Sequence, residues 1–143
     1  MLTPLVRGCK KYLRCGAVTS PQGFVYFIPQ QYERFLKLDP STDTTTEVGS
    51  SYGLSSTLGT NKWCGGVVSP NGIIYGMPFY AHLVVKIDPS SDTTALLTSK
   101  SGVGGYQYHG GVLTSSGIIY SLPYQGNKLL KIGSQACTAS CSA

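Results

Sequence analysis

GAVTSPQGFVYFIP from Gly16, GGVVSPNGIIYGMP from Gly65 and GGVLTSSGIIYSLP from Gly110 are three copies of one phrase in this 143-residue chain. The copies are offset by 49 and then by 45 residues. The first two continue into FLKLDPSTDTT and VVKIDPSSDTT, whereas the third continues into LLKIG and then loses the pattern. A repeat of this length is typical of one supersecondary unit that buries its apolar faces by stacking on copies of itself.

Each full copy divides into four predicted strands. In the second copy these cover 65–69, 73–77, 83–87 and 93–98. The first turn is Pro70-Asn71-Gly72, where Pro presets φ and Asn-Gly tolerates positive φ. The second turn is DPSSD from Asp88, whose Asp side chains can bond nearby backbone amides. The sequence therefore predicts an all-β protein of three repeats.

Two of these strands, around Ile74 and Val84, are apolar without interruption rather than alternating. Such runs are typical of sheets that are covered on both faces. The third copy lacks the Asp-Pro turn, so we predict no clear fourth strand there. The predicted divisions are a basic leader (1–14), a three-repeat domain (15–133, in units 15–63, 64–108 and 109–133) and a Ser/Ala/Cys-rich tail (134–143).

The order Gly-Gly-Val, Pro-Asn-Gly, Ile-Tyr, Pro and Ile-Asp-Pro resembles β-propeller blades of the virginiamycin B lyase-like, NHL and YVTN types. The resemblance covers most of residues 15–132. It implies an incomplete ring, because propellers have four to eight blades and this chain carries about three. It fixes no activity, since such blades serve lyases, lactonases, oxidoreductases and binding proteins. No catalytic residue can be carried over from the family by position.

Three arrangements that would complete the structure remain open for a chain with so few repeats. Several chains can assemble into a ring, with two chains giving about six blades, or the chain can belong to a longer propeller. The third is a β-trefoil, which also uses three four-stranded repeats and closes as a monomer. The unclosed arc predicts self-association, because exposed strand edges and apolar blade faces favour it.

Composition restricts the class of partner. The chain is 41% hydrophobic and 12% charged, which is typical of a packed domain, and its net charge is +5. No apolar run approaches the roughly 18 residues of a membrane span, and the basic N-terminus lacks the apolar core of a signal peptide. No nucleic-acid motif accompanies the basic residues. We therefore predict neither nucleic-acid nor membrane binding, and the sequence assigns no cellular compartment.

Five cysteines leave the redox state open. Cys15 and Cys64 hold the same repeat position, which His109 holds in the third copy. We interpret these two cysteines as small packing residues, because free Cys buries readily. Cys137 and Cys141 can either form a small disulfide or stay reduced. The spacing shows no zinc-type pair of CxxC units, so neither a metal nor a cofactor is predicted.

The loops between strands two and three, and those leading into strand one, are expected at the same end of the sheets. Aromatic and amide side chains there suit sugars or planar ligands. The candidate ligand-binding residues are Tyr32, Trp63, Tyr80, His82, Tyr108, His109, Tyr124 and Asn127. Trp63 and Tyr108 share one repeat position and can instead seal neighbouring repeats.

The sequence favours a binding or scaffolding module for a small molecule, glycan or protein. No acid–base set converges, because Asp39, Asp43, Asp88 and Asp92 fall in turns at the opposite end. A lyase- or lactonase-like enzyme that uses His82 and His109 is the alternative function. A piece of a longer propeller without separate activity is the third.

Overall fold

The computed structural model describes residues 14–53, 58–98 and 105–133, and the backbone of 137–140. Its strands form three separate four-stranded antiparallel sheets, each bonded in chain order. Sheet 1 contains β1 (Arg14–Thr19), β2 (Val25–Pro29), β3 (Phe35–Asp39) and β4 (Thr44–Val48). Sheet 2 contains β5 (Trp63–Val68), β6 (Ile74–Pro78), β7 (Leu83–Asp88) and β8 (Thr93–Thr98). Sheet 3 contains β9 (Val112–Leu113), β10 (Ile119–Ser121), β11 (Leu129–Ile132) and β12 (Cys137–Ser140).

The prediction of an all-β protein of three repeats is confirmed, and two expectations are wrong. The third repeat has a fourth strand, because β12 pairs with β11 inside the segment that we assigned to a tail. The β-trefoil alternative also fails, since the described strands form three separate sheets and no barrel. Residues 14–53, 58–98 and 105–133 contain no helix of the length and hydropathy that a membrane crossing requires.

The turns form as their residue types predict. Gly72 has a φ of +83° and donates its backbone N–H to the carbonyl oxygen of Ser69 at 2.9 Å. Asp88 Oδ1 accepts the backbone N–H of Ser90 at 2.9 Å, and Asp39 Oδ1 accepts that of Ser41 at 2.8 Å. The hydroxyls of Ser41 and Ser90 donate to the same carboxylates, and these side-chain bonds together with the backbone bonds hold the pKa of both carboxyls below its usual range, so both stay ionised.

Three glycines allow the innermost strands of the three sheets to touch. Gly16, Gly65 and Gly110 have φ values of +85°, +75° and +70°. A Cβ on Gly16 would lie 2.8 Å from the Gly65 Cα, and one on Gly65 would lie 2.6 Å from the Gly110 Cα. A side chain on Gly16 or Gly65 would therefore force the strands apart, whereas a Cβ on Gly110 would have nothing within 4 Å, so that only its positive φ favours glycine there.

Gly16 and Gly65 lie where the inner strands of sheets 1 and 2 bulge. The register of β1 against β2 shifts between Arg14 and Ala17, and that of β5 against β6 shifts between Trp63 and Gly66. A bulge turns the side chains of the inserted residues out of the alternating pattern. Cys15 lies within the first bulge, immediately before its glycine, and Cys64 occupies the same place in the second.

These bulges bring the two cysteines together. Cys15 and Cys64 form a disulfide, with their Cα atoms 4.7 Å apart and 49 residues between them in sequence. Our interpretation of the pair as separate packing residues is therefore wrong. The glycine contact described above is the reason, because it brings adjacent inner strands within disulfide distance. The bond joins sheet 1 to sheet 2.

Side chains from facing sheets fill two cores. Ile74, Val85 and Ile87 of sheet 2 pack towards sheet 1, whereas Met77 and Val84 of the same sheet pack towards sheet 3. This arrangement confirms that the uninterrupted apolar runs belong to a sheet covered on both faces. The larger core contains Tyr26, Ile28, Phe35, Val48, Tyr52, Leu58, Trp63, Ile74, Ala81, Val85 and Ile87. The smaller one contains Val67, Met77, Val84, Tyr108, Ile119, Leu130 and Ile132.

A polar contact also joins sheets 1 and 2. The Tyr26 hydroxyl donates to Asp92 Oδ1 at 2.6 Å, and Lys37 Nζ donates to Asp92 Oδ2 at 2.8 Å. Burial and this bond to Asp92 raise the pKa of Tyr26. Asp92 lies in the turn before β8 with a φ of +53°. The sequence predicts a turn residue here, and the structure adds a role in joining the sheets.

Candidate functional site

Loops from all three sheets meet at one end of the molecule and line an open depression of ≈ 360 Å³. They are the loops after the second strand of each sheet and those that lead into sheets 2 and 3. Their convergence confirms the predicted placement of the two kinds of loop. The depression, which we call the amide–aromatic pocket, is lined by Gln30, Gln31, Asn61, Phe79, Tyr106, Tyr124 and Gln125.

Aromatic rings form one side of this pocket. The Phe79 ring centroid lies 4.7 Å from that of Tyr106 and 5.7 Å from that of Tyr124. Tyr80 stands edge-on to Tyr106 at 5.5 Å and is 38% exposed. Tyr124, at 59% exposed, has most of its ring area accessible to a ligand. Because the rings pack on one another, their positions are fixed before any ligand arrives.

Backbone hydrogen bonds between loops hold the pocket in shape. The Lys62 N–H donates to the Gln30 carbonyl oxygen at 2.8 Å and ties sheet 2 to sheet 1. The Gln107 N–H donates to the Phe79 oxygen at 2.6 Å, and the Tyr124 N–H donates to the Gln107 oxygen at 2.7 Å. The three sheets thus share one continuous set of loop contacts. A ligand would meet a preformed surface, which lowers the entropy cost of binding.

Amide groups form the other side. Gln31 Nε2 donates to Asn61 Oδ1 at 2.8 Å, which joins a loop of sheet 1 to a loop of sheet 2. Gln30 and Gln125 complete the set at the pocket wall. Each amide offers both donor and acceptor groups. The residues lining the pocket carry no formal charge, so the site suits a neutral polar ligand.

Two of the candidate residues lie in the core. Trp63 is fully buried, donates its indole N–H to the Leu83 carbonyl oxygen at 2.7 Å and stands edge-on to Tyr52 at 5.2 Å. Tyr108 is 2% exposed and pairs with Pro123 in an isolated bridge. Both side chains seal neighbouring sheets, as the alternative interpretation of their shared repeat position expects.

Tyr32 and Asn127 lie in the predicted loops but do not line the pocket. The Arg14 guanidinium stacks over the Tyr32 ring at 4.2 Å, and Arg14 also pairs with Glu47 at 3.6 Å. A bond to Glu47 raises the pKa of Tyr32. Asn127 is exposed in the loop before β11. Tyr32 is thus occupied in an ion-pair cluster of sheet 1.

The two histidines have different surroundings. His109 is exposed, and its ring lies 5.8 Å from that of Phe79 and 6.1 Å from that of Tyr124. His82 is half-buried in the loop before β7. His109 also stands beside the disulfide, since its ring nitrogens and the sulfurs of Cys15 and Cys64 offer atoms within 4.8 Å of one another.

The candidates predicted from the sequence omit most of the residues that line the pocket: Gln30, Gln31, Asn61, Phe79, Tyr106 and Gln125. One signal was available in the segment YQYHG from Tyr106. Side chains alternate in direction along an extended chain, so Tyr106 and Tyr108 should point the same way and Gln107 the other way. Periodicity alone therefore cannot assign one of the two tyrosines to the core and the other to the surface. Tyr108 enters the core because it holds the repeat position of Trp63. That position leaves Tyr106 for the loop surface.

A buried lysine lies behind the pocket. Lys62 is 0% exposed, and among the described residues its amine has no hydrogen-bond partner. Burial lowers its pKa, and the charge of Glu33 opposes that shift. The Lys62 backbone oxygen meanwhile accepts N–H groups of Phe79 and Ala81 at 2.9 and 3.1 Å. The backbone of this residue positions the loop, whereas its side chain carries a desolvation cost.

A second cavity of ≈ 340 Å³ lies at the opposite end, between sheets 2 and 3. The turns Ser69–Asn71 and Ser116–Gly117 line it together with Tyr75 and Ile119. A single ring and mainly turn residues supply few groups that could orient a ligand. The amide–aromatic pocket is therefore the stronger candidate site.

No protein-family model and no curated protein sequence matches this chain. Solved structures do match its fold. Against a catalytically inactive virginiamycin B lyase from Staphylococcus aureus with quinupristin, the TM-score is 0.70 at 17% identity, over 91% of this chain and 41% of that one. The three sheets are β-propeller blades.

Two other propeller-type structures support the assignment. Hydrazine synthase from Kuenenia stuttgartiensis has a TM-score of 0.66 at 16% identity, over 90% of this chain and 34% of that one. A luciferin-regenerating enzyme has a TM-score of 0.60 at 16% identity, over 86% of this chain and 43% of that one. The chain thus spans about two fifths of the first of these proteins. Their differing names agree with blades as a scaffold for many functions.

Proposed function

We propose that this chain is a binding module that holds a neutral saccharide in the amide–aromatic pocket. One observation carries the proposal: three blades place aromatic rings and side-chain amides around one uncharged depression. Sugars present apolar C–H faces that stack on rings, and hydroxyls that exchange hydrogen bonds with amides. The preformed loop contacts support binding without a large rearrangement.

The test is calorimetric titration with a panel of neutral oligosaccharides of glucose, galactose, mannose and N-acetylglucosamine. We expect Tyr106→Ala and Tyr124→Ala each to weaken binding about tenfold or more, because each removes a stacking surface. Tyr32→Ala is the matched control, since its ring stacks on Arg14 outside the pocket. Failure of every sugar to bind at millimolar concentration would reject the proposal, as would equal effects of Tyr32→Ala and Tyr124→Ala.

A second candidate function is an enzyme of the lyase or lactonase kind, which rests on His109. This residue is exposed and contacts two rings at the pocket, so its imidazole is placed to exchange protons with a bound ligand. A carboxylate partner is absent from the residues that line the pocket. Turnover of a lactone or cyclic ester that His109→Ala abolishes, and that His82→Ala preserves, would favour this function over binding alone.

A further inference from the structure

The outward face of sheet 3 carries apolar residues that the other sheets bury. Leu122 holds the repeat position of Met77 in sheet 2 and of Ile28 in sheet 1. Met77 and Ile28 are 0% exposed because the next sheet covers them, whereas Leu122 is 69% exposed. In the same way Leu129, 38% exposed, corresponds to the fully buried Val84. Sheet 3 thus has the face of an inner blade that no sheet of the described residues covers.

The polar contact of sheet 1 has its counterpart on this face. By the repeat offsets, Tyr120 and Lys131 hold the positions of Tyr26 and Lys37, which bind Asp92 of the following sheet. Tyr120 pairs with Lys131 across β10 and β11, and both are half-buried. Their positions form a hydroxyl and ammonium pair that matches a carboxylate acceptor.

Sheet 1 offers the complementary acceptor at the other end of the arc. Asp43 corresponds to Asp92 by the repeat offset and has the same left-handed backbone, with a φ of 55° against 53°. Nearby, Leu38 corresponds to Ile87, which packs against the preceding sheet. Leu38 itself is half-exposed. The outward face of sheet 1 thus repeats two positions of the surface that sheet 2 presents to sheet 1.

We propose that two copies of this chain associate head to tail, with sheet 3 of one chain packed on sheet 1 of the other. In each of the two contacts Tyr120 and Lys131 would bind Asp43 of the partner subunit, as Tyr26 and Lys37 bind Asp92 within the chain. Two copies supply six blades, which lies within the range of four to eight for closed propellers. The proposal is independent of the saccharide function.

Light scattering after size-exclusion chromatography tests the association. The full chain should elute as a dimer, with twice the 15.2 kDa mass of one chain. Lys131→Glu and Asp43→Lys should each give a monomer of normal strand content by circular dichroism. The double variant restores opposite charges across both contacts and should recover the dimer.

Lys128→Glu is the matched control, because Lys128 is exposed in the loop before β11 and is not one of the residues that the proposed contact uses. A monomeric wild-type chain would overturn the proposal, and so would a dimer that both single variants leave intact. A dimer lost equally in Lys128→Glu and Lys131→Glu would also overturn it, since net charge would then explain the effect.

A different observation concerns the three residues beside the glycine contacts. Cys15, Cys64 and His109 hold one repeat position in three sheets, and their ligand atoms lie within 4.8 Å of one another. Tetrahedral zinc with two thiolates and one imidazole separates its ligand atoms by roughly 3.5–3.8 Å. The upper bound of 4.8 Å is about 1.0–1.3 Å longer than the zinc separations, and the two bonded sulfurs must move apart before both can bind one ion.

We infer that, once the disulfide is opened, Cys15, Cys64 and His109 form a zinc site with a fourth position for water or ligand. A dithiol reductant supplies two electrons and two protons, the S–S bond breaks to two thiols, and the reductant becomes a disulfide. Each thiol then releases its proton as its sulfur binds Zn²⁺. The disulfide and the zinc site thus exclude each other.

The test uses the full chain with Cys9, Cys137 and Cys141 replaced by Ser, so that only the pair of interest remains. Zinc competition with a chromophoric chelator should give one ion per reduced chain and none per oxidised chain. His109→Ala should weaken affinity at least tenfold, whereas His82→Ala should leave it unchanged. The inference fails if the reduced chain binds no zinc at micromolar concentration, or if His109→Ala binds as tightly as the parent.

Discussion

Gly65→Ala should destabilise the protein because it inserts a methyl group between two backbones. Its Cβ would lie 2.6 Å from the Gly110 Cα and 2.9 Å from the Gly110 nitrogen, and ordinary contact begins at 3.4 Å. Overpacking of this kind costs about 1–3 kcal/mol. The φ of +75° adds about 1–2 kcal/mol for any residue with a Cβ. We expect a total loss of about 2–5 kcal/mol in the free energy of unfolding.

Gly23→Ala separates the two contributions. Gly23 has a φ of +90°, and a Cβ there would have open space within 4 Å. This variant should therefore lose only the conformational part, about 1–2 kcal/mol. The assay is equilibrium unfolding in urea, followed by circular dichroism at one protein concentration for all three proteins.

The difference between the two variants measures the cost of separating the inner strands. The free energy of unfolding of Gly23→Ala should be higher than that of Gly65→Ala by about 1–3 kcal/mol. If the two variants unfold at the same urea concentration, the close contact of the glycine backbones contributes nothing. The explanation given for the Gly at the start of each copy would then be refuted.

Tyr26→Phe should lower the free energy of unfolding by about 1.5–3 kcal/mol, because it removes a hydroxyl bond to the carboxylate of Asp92. Because the pKa of Tyr26 is raised in the folded chain, the stability of the wild-type protein should fall above pH 10, and that of Tyr26→Phe should fall less. Urea unfolding at a series of pH values above 10 measures both. Lys62→Met should stabilise the protein by about 1–3 kcal/mol at pH 7, because an apolar chain replaces a buried amine that has no hydrogen-bond partner among the described residues and lies 6.0 Å from the centre of the Trp63 ring. Burial lowers the pKa of Lys62, so the wild-type chain should gain stability as pH rises towards 10.5. Lys62→Met should lack that gain, and parallel pH profiles of stability for the two proteins would contradict this reasoning. Reduction of the Cys15–Cys64 disulfide in the presence of a chelator should lower the free energy of unfolding by about 4 kcal/mol, because the unfolded chain regains the closure entropy of a 49-residue loop. Unchanged unfolding of the reduced chain would contradict this prediction.

The repeat predicts most of the fold because each position recurs in a comparable environment. The strand around Ile74 and its partner around Val84 follow from apolar runs between two turns, and the structure places them within a residue or two. The strand Cys137–Ser140 was missed because its segment lacks the Asp-Pro turn and holds a single β-branched residue, Thr138. Backbone pairing with β11 there substitutes for a local signal.

The site was harder to predict because loops carry no periodicity. Sequence reasoning located the correct loops, yet it favoured Trp63 and missed Asn61 and Gln125. Whether a large ring enters the core depends on the facing sheet, which the local sequence does not describe. The disulfide was missed for a similar reason, since the approach of Cys15 to Cys64 depends on glycine contacts between separate repeats.

The disulfide also divides the chain mechanically. A force applied at the two ends bypasses the 49-residue loop between Cys15 and Cys64, because the covalent bond carries the load. At about 3.3–3.6 Å per extended residue, that loop withholds roughly 160–180 Å of contour length. Sheet 1 is shielded inside the loop, whereas sheets 2 and 3 lie almost entirely outside it and bear the tension. Reduction would release the hidden length, so pulling experiments would register the redox state of this bond as a change in extension.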